Sequence, residues 1–211
     1  MGGVKIKSKN ETNSNIIYQK IAGILLIIGS IQFMLFVTIA ETLYPGYNTG
    51  INTLSDLADL PIYEPSATIF NITVFLLGLC LIIASYLIYR KFGRKIFPSL
   101  LAISSIGIMG VGIFPGYTGG THVLFAMTAF IFGSLAVISS FTILRDSLLK
   151  YILIVLGAIG FIDILLVIIL QNTSPFMALG EGGAERLIAY PVILGLIALG
   201  GYLTGSAHQE S

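Results

Sequence analysis

The sequence predicts an all-α polytopic membrane protein, a six-transmembrane-helix bundle with both termini cytoplasmic. Three observations carry that prediction. Six apolar stretches are each about long enough to cross a bilayer. Hydrophobic residues make up 55% of the 211-residue chain and charged residues 10%, with a mean hydropathy of +0.94. A single soluble core of that size would not hide so much apolar surface. The basic residues, finally, fall almost entirely into the connections on one side of the six stretches.

A helix needs roughly 20 apolar residues to cross about 30 Å of hydrocarbon, and only helices or closed barrels satisfy their backbone there. These runs are continuous, where a lipid-facing strand would alternate, so helices are expected. The first span is read at about residues 20–40. Its leader, with Ser8, Asn10, Asn13, Ser14 and Asn15, reads as a disordered cytoplasmic tail over 1–19. Thr38-Ile39-Ala40 resembles a signal-peptide cleavage site. The apolar run is longer than the roughly 7–15 residues of a signal-peptide core, so the span is expected to be retained. The second span, about 67–89, holds Cys80, the one cysteine, which leaves no disulfide and no Cys-based metal site. The remaining spans are read at about 97–114, 122–144, 151–170 and 187–205, before a short tail at 206–211. Short connections make sequential helices antiparallel neighbours.

Helices in lipid associate through close packing, which small residues permit. Ser104, Gly107 and Gly110 in span three, Ala129, Gly133, Ala136 and Ser140 in span four, and Gly201 and Gly205 in span six have that spacing. Spans three, four and six are therefore expected to form the tight centre. The end of span one, Tyr44-Pro45-Gly46-Tyr47-Asn48-Thr49-Gly50, is echoed after span three by Phe114-Pro115-Gly116-Tyr117-Thr118-Gly119-Gly120. The echo fits either a parallel repeat or, the favoured reading, two independent uses of Pro-Gly to end a helix.

Lys5, Lys7, Lys9, Lys20, Arg90, Lys91, Arg94, Lys95, Arg145 and Lys150 lie on one side of the spans, and Arg186 alone on the other. By the positive-inside rule the ten mark the cytoplasmic side of a cell membrane. The chain has no Trp, so Tyr is expected to form the interfacial belt. Tyr18, Tyr86, Tyr89, Tyr151 and Tyr202 fall at inner span ends, and Tyr44, Tyr47, Tyr63, Tyr117 and Tyr190 at outer ones.

Polar chemistry gathers on the expected outer face. Loop 41–66 carries Glu41, Asn48, Asn52, Ser55, Asp56, Asp59 and Glu64; a second loop leads to His122; the third, 171–186, carries Asn172, Glu181, Glu185 and Arg186. Arg186 thus meets six carboxylates, and a guanidinium can hold a carboxylate or a phosphate bidentately. It either ties loop one to loop three through Asp56 or Glu41, or grips an anionic headgroup. His122 can act as base, relay or structural hydrogen-bonding group. A Ser55–His122–Asp56 constellation can be drawn, while Asn52-Thr53-Leu54-Ser55-Asp56-Leu57 also reads as the capped start of a short helix. No metal centre is expected: one His on this side, with Cys80 elsewhere, falls short of a zinc ligand set.

Asp163 lies inside span five, roughly two-thirds of the way across from the inner side. An intramembrane acid costs several kcal/mol unless paired or protonated. It is read either as a polar lock with Ser30, Gln32, Ser104, Ser105 or Thr128, or as a proton or ion site. Asn172-Thr173-Ser174 is a glycosylation sequon; Asn71-Ile72-Thr73 has the same form but opens span two, too near the membrane to serve. No phosphate loop, dinucleotide fingerprint or basic nucleic-acid face is present, so neither a cofactor nor a nucleic-acid partner is expected.

Three blocks carry a family resemblance: Tyr44-Pro45-Gly46-Tyr47 with Asn52-Thr53-Leu54-Ser55-Asp56-Leu57; Gly112-Ile113-Phe114-Pro115 with His122; and Gly182-Gly183-Ala184-Glu185-Arg186 with Tyr190-Pro191. In order and spacing they resemble a family of six-helix prokaryotic membrane proteins, domain of unknown function 998. The Ile-rich, charge-poor helices resemble its archaeal members. The resemblance implies the fold and the location of a site, and no reaction.

Three functions fit the residues. The first is binding or moving a small or lipid-like ligand through an outer vestibule of Tyr44, Asn52, Asp56, His122, Glu185 and Arg186, with Asp163 below. The second is a membrane hydrolase or transferase on lipid headgroups, with His122 as base, Asp56 orienting it and Ser55 beside it. The third is an accessory subunit. Membrane lipids are the expected partners, and a transport role would call for a homo-oligomer.

Overall fold

The computed structural model describes residues 2–58, 64–144 and 147–209. Asp59, Tyr63 and Arg145 lie outside the described residues, as do the tail residues 210–211 and the side chains of residues 2–12, Glu64, Asn172, His208 and Gln209.

Six helices follow the six apolar runs: α1 (Gly2–Leu43), α2 (Glu64–Phe92), α3 (Ile96–Ile113), α4 (Gly120–Ser139), α5 (Leu149–Leu170) and α6 (Gly180–Gln209). All six are long and apolar enough to cross a membrane. Their outward faces are apolar too: Leu35 is 60% exposed, Ile106 53% and Ile169 70%. Water would not tolerate such side chains over the whole circumference of a bundle, whereas lipid does. The chain is a multi-pass membrane protein.

The helix ends differ from the sequence reading in ways that the backbone explains. The leader expected as a disordered tail over 1–19 is helical from Gly2, continuous with the first span. Once the apolar segment has formed a helix, each further residue adds a hydrogen bond without a new nucleus. Span four stops as α-helix at Ser139 and finishes in a 3-10 turn, Ser140–Thr142, where Ser139, Ser140 and Thr142 hydroxyls bond carbonyls three residues back. Helix α6 begins at Gly180, a turn or two before the expected span, and so lifts Glu181, Glu185 and Arg186 out of a loop and onto a helix.

The helices form a ring in which each packs on its neighbours in sequence and α6 closes on α1. Small residues set the close approaches between helices. A Cβ at Gly107 would come within 2.5 Å of the Ala129 backbone nitrogen, which welds α3 to α4. At the closing seam Gly23 and Gly200 face one another, each Cβ position 2.7 Å from the other's carbonyl oxygen. The expected pair Gly201 and Gly205 points into open space instead. One residue along a helix is a rotation of about 100°, enough to exchange a packed face for a lipid-facing one. Gln19 reinforces the seam, donating to Leu203 O at 3.0 Å and Ser206 Oγ at 2.8 Å.

The end of the bundle that carries Arg90, Lys91, Arg94, Lys95 and Lys150 is opposite the end that carries Arg186 and His122. At the basic end Arg90 lies over the Tyr18 ring at 5.3 Å and donates to the Tyr86 hydroxyl at 2.8 Å. The two Pro-Gly echoes turn differently. Gly46 takes a left-handed φ of 75°, whereas in the second motif the left-handed residue is Gly119, at 64°, three residues later. A shared helix-stopping chemistry accounts for both.

Candidate functional site

Loop one is fastened to α6 by Arg186. One guanidinium nitrogen donates to three backbone carbonyls: Thr49 at 2.9 Å, Asn52 at 3.0 Å and Gly182 at 2.8 Å. The other donates to Glu41 Oε1 at 2.7 Å and to the Tyr47 hydroxyl at 2.6 Å. The pair is largely desolvated, with side-chain exposures of 11% for Arg186 and 18% for Glu41. Of its three guanidinium nitrogens, Nε has no partner among the described residues. Tyr47 passes the connection on, donating to Thr53 O at 2.7 Å, and burial pushes its phenol above the ordinary range. Tyr44 packs edge-on against Tyr47, ring centroids 5.3 Å apart. Gly182 is required here because a Cβ would overlap the Asn52 and Thr49 carbonyl oxygens, the ones that Arg186 holds.

Of the two structural partners open to Arg186, the structure thus pairs it with Glu41. Asp56 is spent within its own loop: Oδ2 accepts from Thr53 N at 2.9 Å and from Asn52 Nδ2 at 3.2 Å, while Asp56 N donates to Thr53 Oγ1 at 3.1 Å. These reciprocal bonds cap the 3-10 turn Ser55–Ala58, as the sequence pattern Asn52-Thr53-Leu54-Ser55-Asp56 anticipates. Asp56 does not orient His122.

His122 is oriented by a main-chain carbonyl. It lies at the start of α4, buried, with Nδ1 2.8 Å from Phe114 O and Nε2 3.1 Å from Ser55 Oγ. A carbonyl can only accept, so Nδ1 carries a proton and Nε2 faces Ser55. Ser55 Oγ also lies 3.0 Å from Glu185 Oε1, and Glu185 Oε2 accepts from the Leu54 amide. Ser55 has one proton for these two contacts. If it donates to Glu185, Nε2 must donate back to Ser55 and the imidazole is cationic. If it donates to Nε2, Glu185 must be the protonated member. Either way a single proton is shared along Glu185, Ser55 and His122.

Beneath this chain runs a slot inside the bundle, a cavity of about 80 Å³. Its walls come from α1 (Phe33), α2 (Phe70 to Leu81), α3 (Leu101 to Val111), α4 (Ala126 to Gly133) and α6 (Glu185 to Leu196). Its polar lining residues are Ser55 and Glu185 at one end and Ser104, which is committed to Ala129 O at 2.9 Å. At about 1.5 Å per residue, the wall from Leu101 to Val111 is about 15 Å long, half the hydrocarbon thickness of a bilayer.

Asp163 does not line the slot. It is fully buried on α5, and neither carboxyl oxygen has a hydrogen-bond partner among the described residues. The groups expected to lock it are engaged elsewhere or apart from it. Gln32 donates to Gly29 O and Thr73 O, Ser105 to Leu101 O and Thr128 to Leu124 O, and Ser30 Oγ is itself unpartnered. Among the described residues no three His, Cys, Asp or Glu side chains cluster as metal ligands would.

The sequence-predicted residues therefore divide. Ser55, His122 and Glu185 come together over the slot; Tyr44, Asn52, Asp56 and Arg186 form the fastening beside it; Asp163 stands apart. Two members escaped the sequence reading in their roles: Glu185 as the partner of Ser55, and Tyr47 as a link in the Arg186 network.

No curated protein and no solved structure matches the chain. Residues 27–202, nearly the whole helical bundle, match the family described as "Protein of unknown function (DUF998)", and the chain belongs to that family.

Proposed function

We propose that this protein binds a lipid-like ligand, taking one apolar chain into the slot with its polar head at Ser55, His122 and Glu185. The observation that carries the reading is the slot itself: lined along about three turns of α3, walled by apolar side chains, and polar at one end. Such a space suits an alkyl chain with one hydrogen-bonding head. Glu41, Tyr47 and three carbonyls occupy the two terminal guanidinium nitrogens of Arg186, which argues against its gripping an anion. That engagement also favours a second reading, an accessory subunit whose loop cluster is architecture alone. The ten basic residues on one side support an orientation in a cell membrane with both termini cytoplasmic and the Ser55 end outside.

A photoactivatable long-chain alcohol, added to the protein in lipid nanodiscs, tests the binding reading. Crosslinks are expected on slot residues such as Phe70 or Ile108, and Ala126→Phe should reduce them about tenfold by filling the slot. Crosslinks confined to lipid-facing residues such as Ile106 and Val155, unchanged in Ala126→Phe, would leave the accessory reading standing alone.

A further inference from the structure

We propose that Ser55 is an acyl-accepting nucleophile, that His122 is its general base, and that the substrate is a lipid ester whose acyl chain occupies the slot. The inference rests on the binding reading above and adds a reaction to it.

The argument is geometric. Ser55 is the hydroxyl-bearing residue that both lines the slot at its polar end and contacts an imidazole nitrogen. Phe114 O fixes the tautomer, so that the lone pair of a neutral His122 points from Nε2 to Ser55 Oγ. That is the arrangement that activates a serine, a base within hydrogen-bond reach and itself oriented by a third group. Here a backbone carbonyl takes the orienting part that a carboxylate plays in other serine enzymes. The ring is held from both sides, so attack requires no rotation of the base.

Bond by bond, Ser55 Oγ attacks the ester carbonyl carbon as its proton passes to His122 Nε2. The ester C–O bond then breaks, the proton leaves with the departing alcohol, and the acyl group stays on Ser55. Water attacks the acyl-serine, giving its proton to Nε2; the Oγ–C bond breaks and the proton returns to Ser55, releasing a carboxylic acid. In the proton arrangement with neutral His122, Glu185 carries the shared proton against Oγ. As Oγ gives its lone pair to carbon, that donor is freed towards the developing oxyanion, where a fixed donor is most effective.

A long-chain alkyl fluorophosphonate tests the first half-reaction, because Ser55 Oγ would form the P–O bond and expel fluoride. With full-length protein in nanodiscs, peptide mapping should find a stoichiometric adduct on Ser55. His122→Gln can keep the bond to Phe114 O but has no base, so adduct formation should slow by about 10²–10⁴-fold. The mapping on unaltered protein needs no variant to fold. Photo-crosslinks in the slot without an adduct on Ser55 would overturn the acyl-transfer inference and leave binding intact. Absence of both would overturn the two together, and an adduct on Ser55 formed at the same rate in His122→Gln would overturn the role of His122.

Discussion

Replacing Arg186 with Met keeps much of the side chain's bulk and deletes all its donors. The wild-type guanidinium holds Glu41 at 2.7 Å with both side chains less than a fifth exposed, so this is not a screened surface pair. Breaking one member of a buried pair costs about 3–5 kcal/mol, chiefly because the other charge is stranded. The Thr49 and Asn52 carbonyls and the Tyr47 hydroxyl lose a donor as well. For a chain of this size each kcal/mol moves the melting temperature by about 2–4 °C, so Arg186→Met should melt about 6–20 °C lower. The single cysteine supplies the assay: Cys80 is partly buried within α2, and a fluorogenic maleimide reports its exposure on heating. Glu41→Gln in the Arg186→Met background should cost less than Glu41→Gln alone, because the guanidinium that it would otherwise strand is already gone. If Arg186→Met melts within about 2 °C of the wild type, the fastening reasoning fails and the guanidinium is available for a ligand.

Asp163→Leu should raise the melting temperature by several degrees, since a buried polar group without partners costs about 1–3 kcal/mol; a lower value in the same maleimide assay would show the carboxyl to be engaged. The orientation is tested in a Cys80→Ala background in whole cells. Tyr117→Cys, at the Ser55 end, should react with an impermeant maleimide, and Leu148→Cys only after permeabilisation. The opposite pattern would refute cytoplasmic termini.

How much of this was legible in the sequence depends on what kind of contrast each feature makes with its surroundings. The spans were legible because length and apolarity are properties of a segment. The polar residues of the site were legible for the same reason, as Ser55, His122, Glu185 and Arg186 stand out in an apolar chain. Their pairing was not. Asp56 and Glu185 are equally acidic on paper, and the folded loop decides that one caps the turn at Thr53 while the other reaches Ser55. Glu41 reaches Arg186 from 145 positions away, a distance that no local pattern encodes. The slot was the least legible feature of all, because Val74 on its wall and Val155 facing lipid are the same residue type in similar apolar runs. Gly200 and Gly201 show the matching limit in packing: both can face a neighbour, and helix phase selects one.

The Gly23–Gly200 seam joins α1 to α6, which is synthesised after the five helices before it. Until α6 enters the bilayer, the ring is open along that flank, the slot lacks the wall from Glu185 to Leu196, and loop one has no Arg186 to close on. Seam, cavity and loop fastening therefore come into being in one late step of biogenesis. A chain that stops short of α6 would keep five helices capable of insertion and lose the whole site, with the packing face of α1 left open to any neighbour in the membrane.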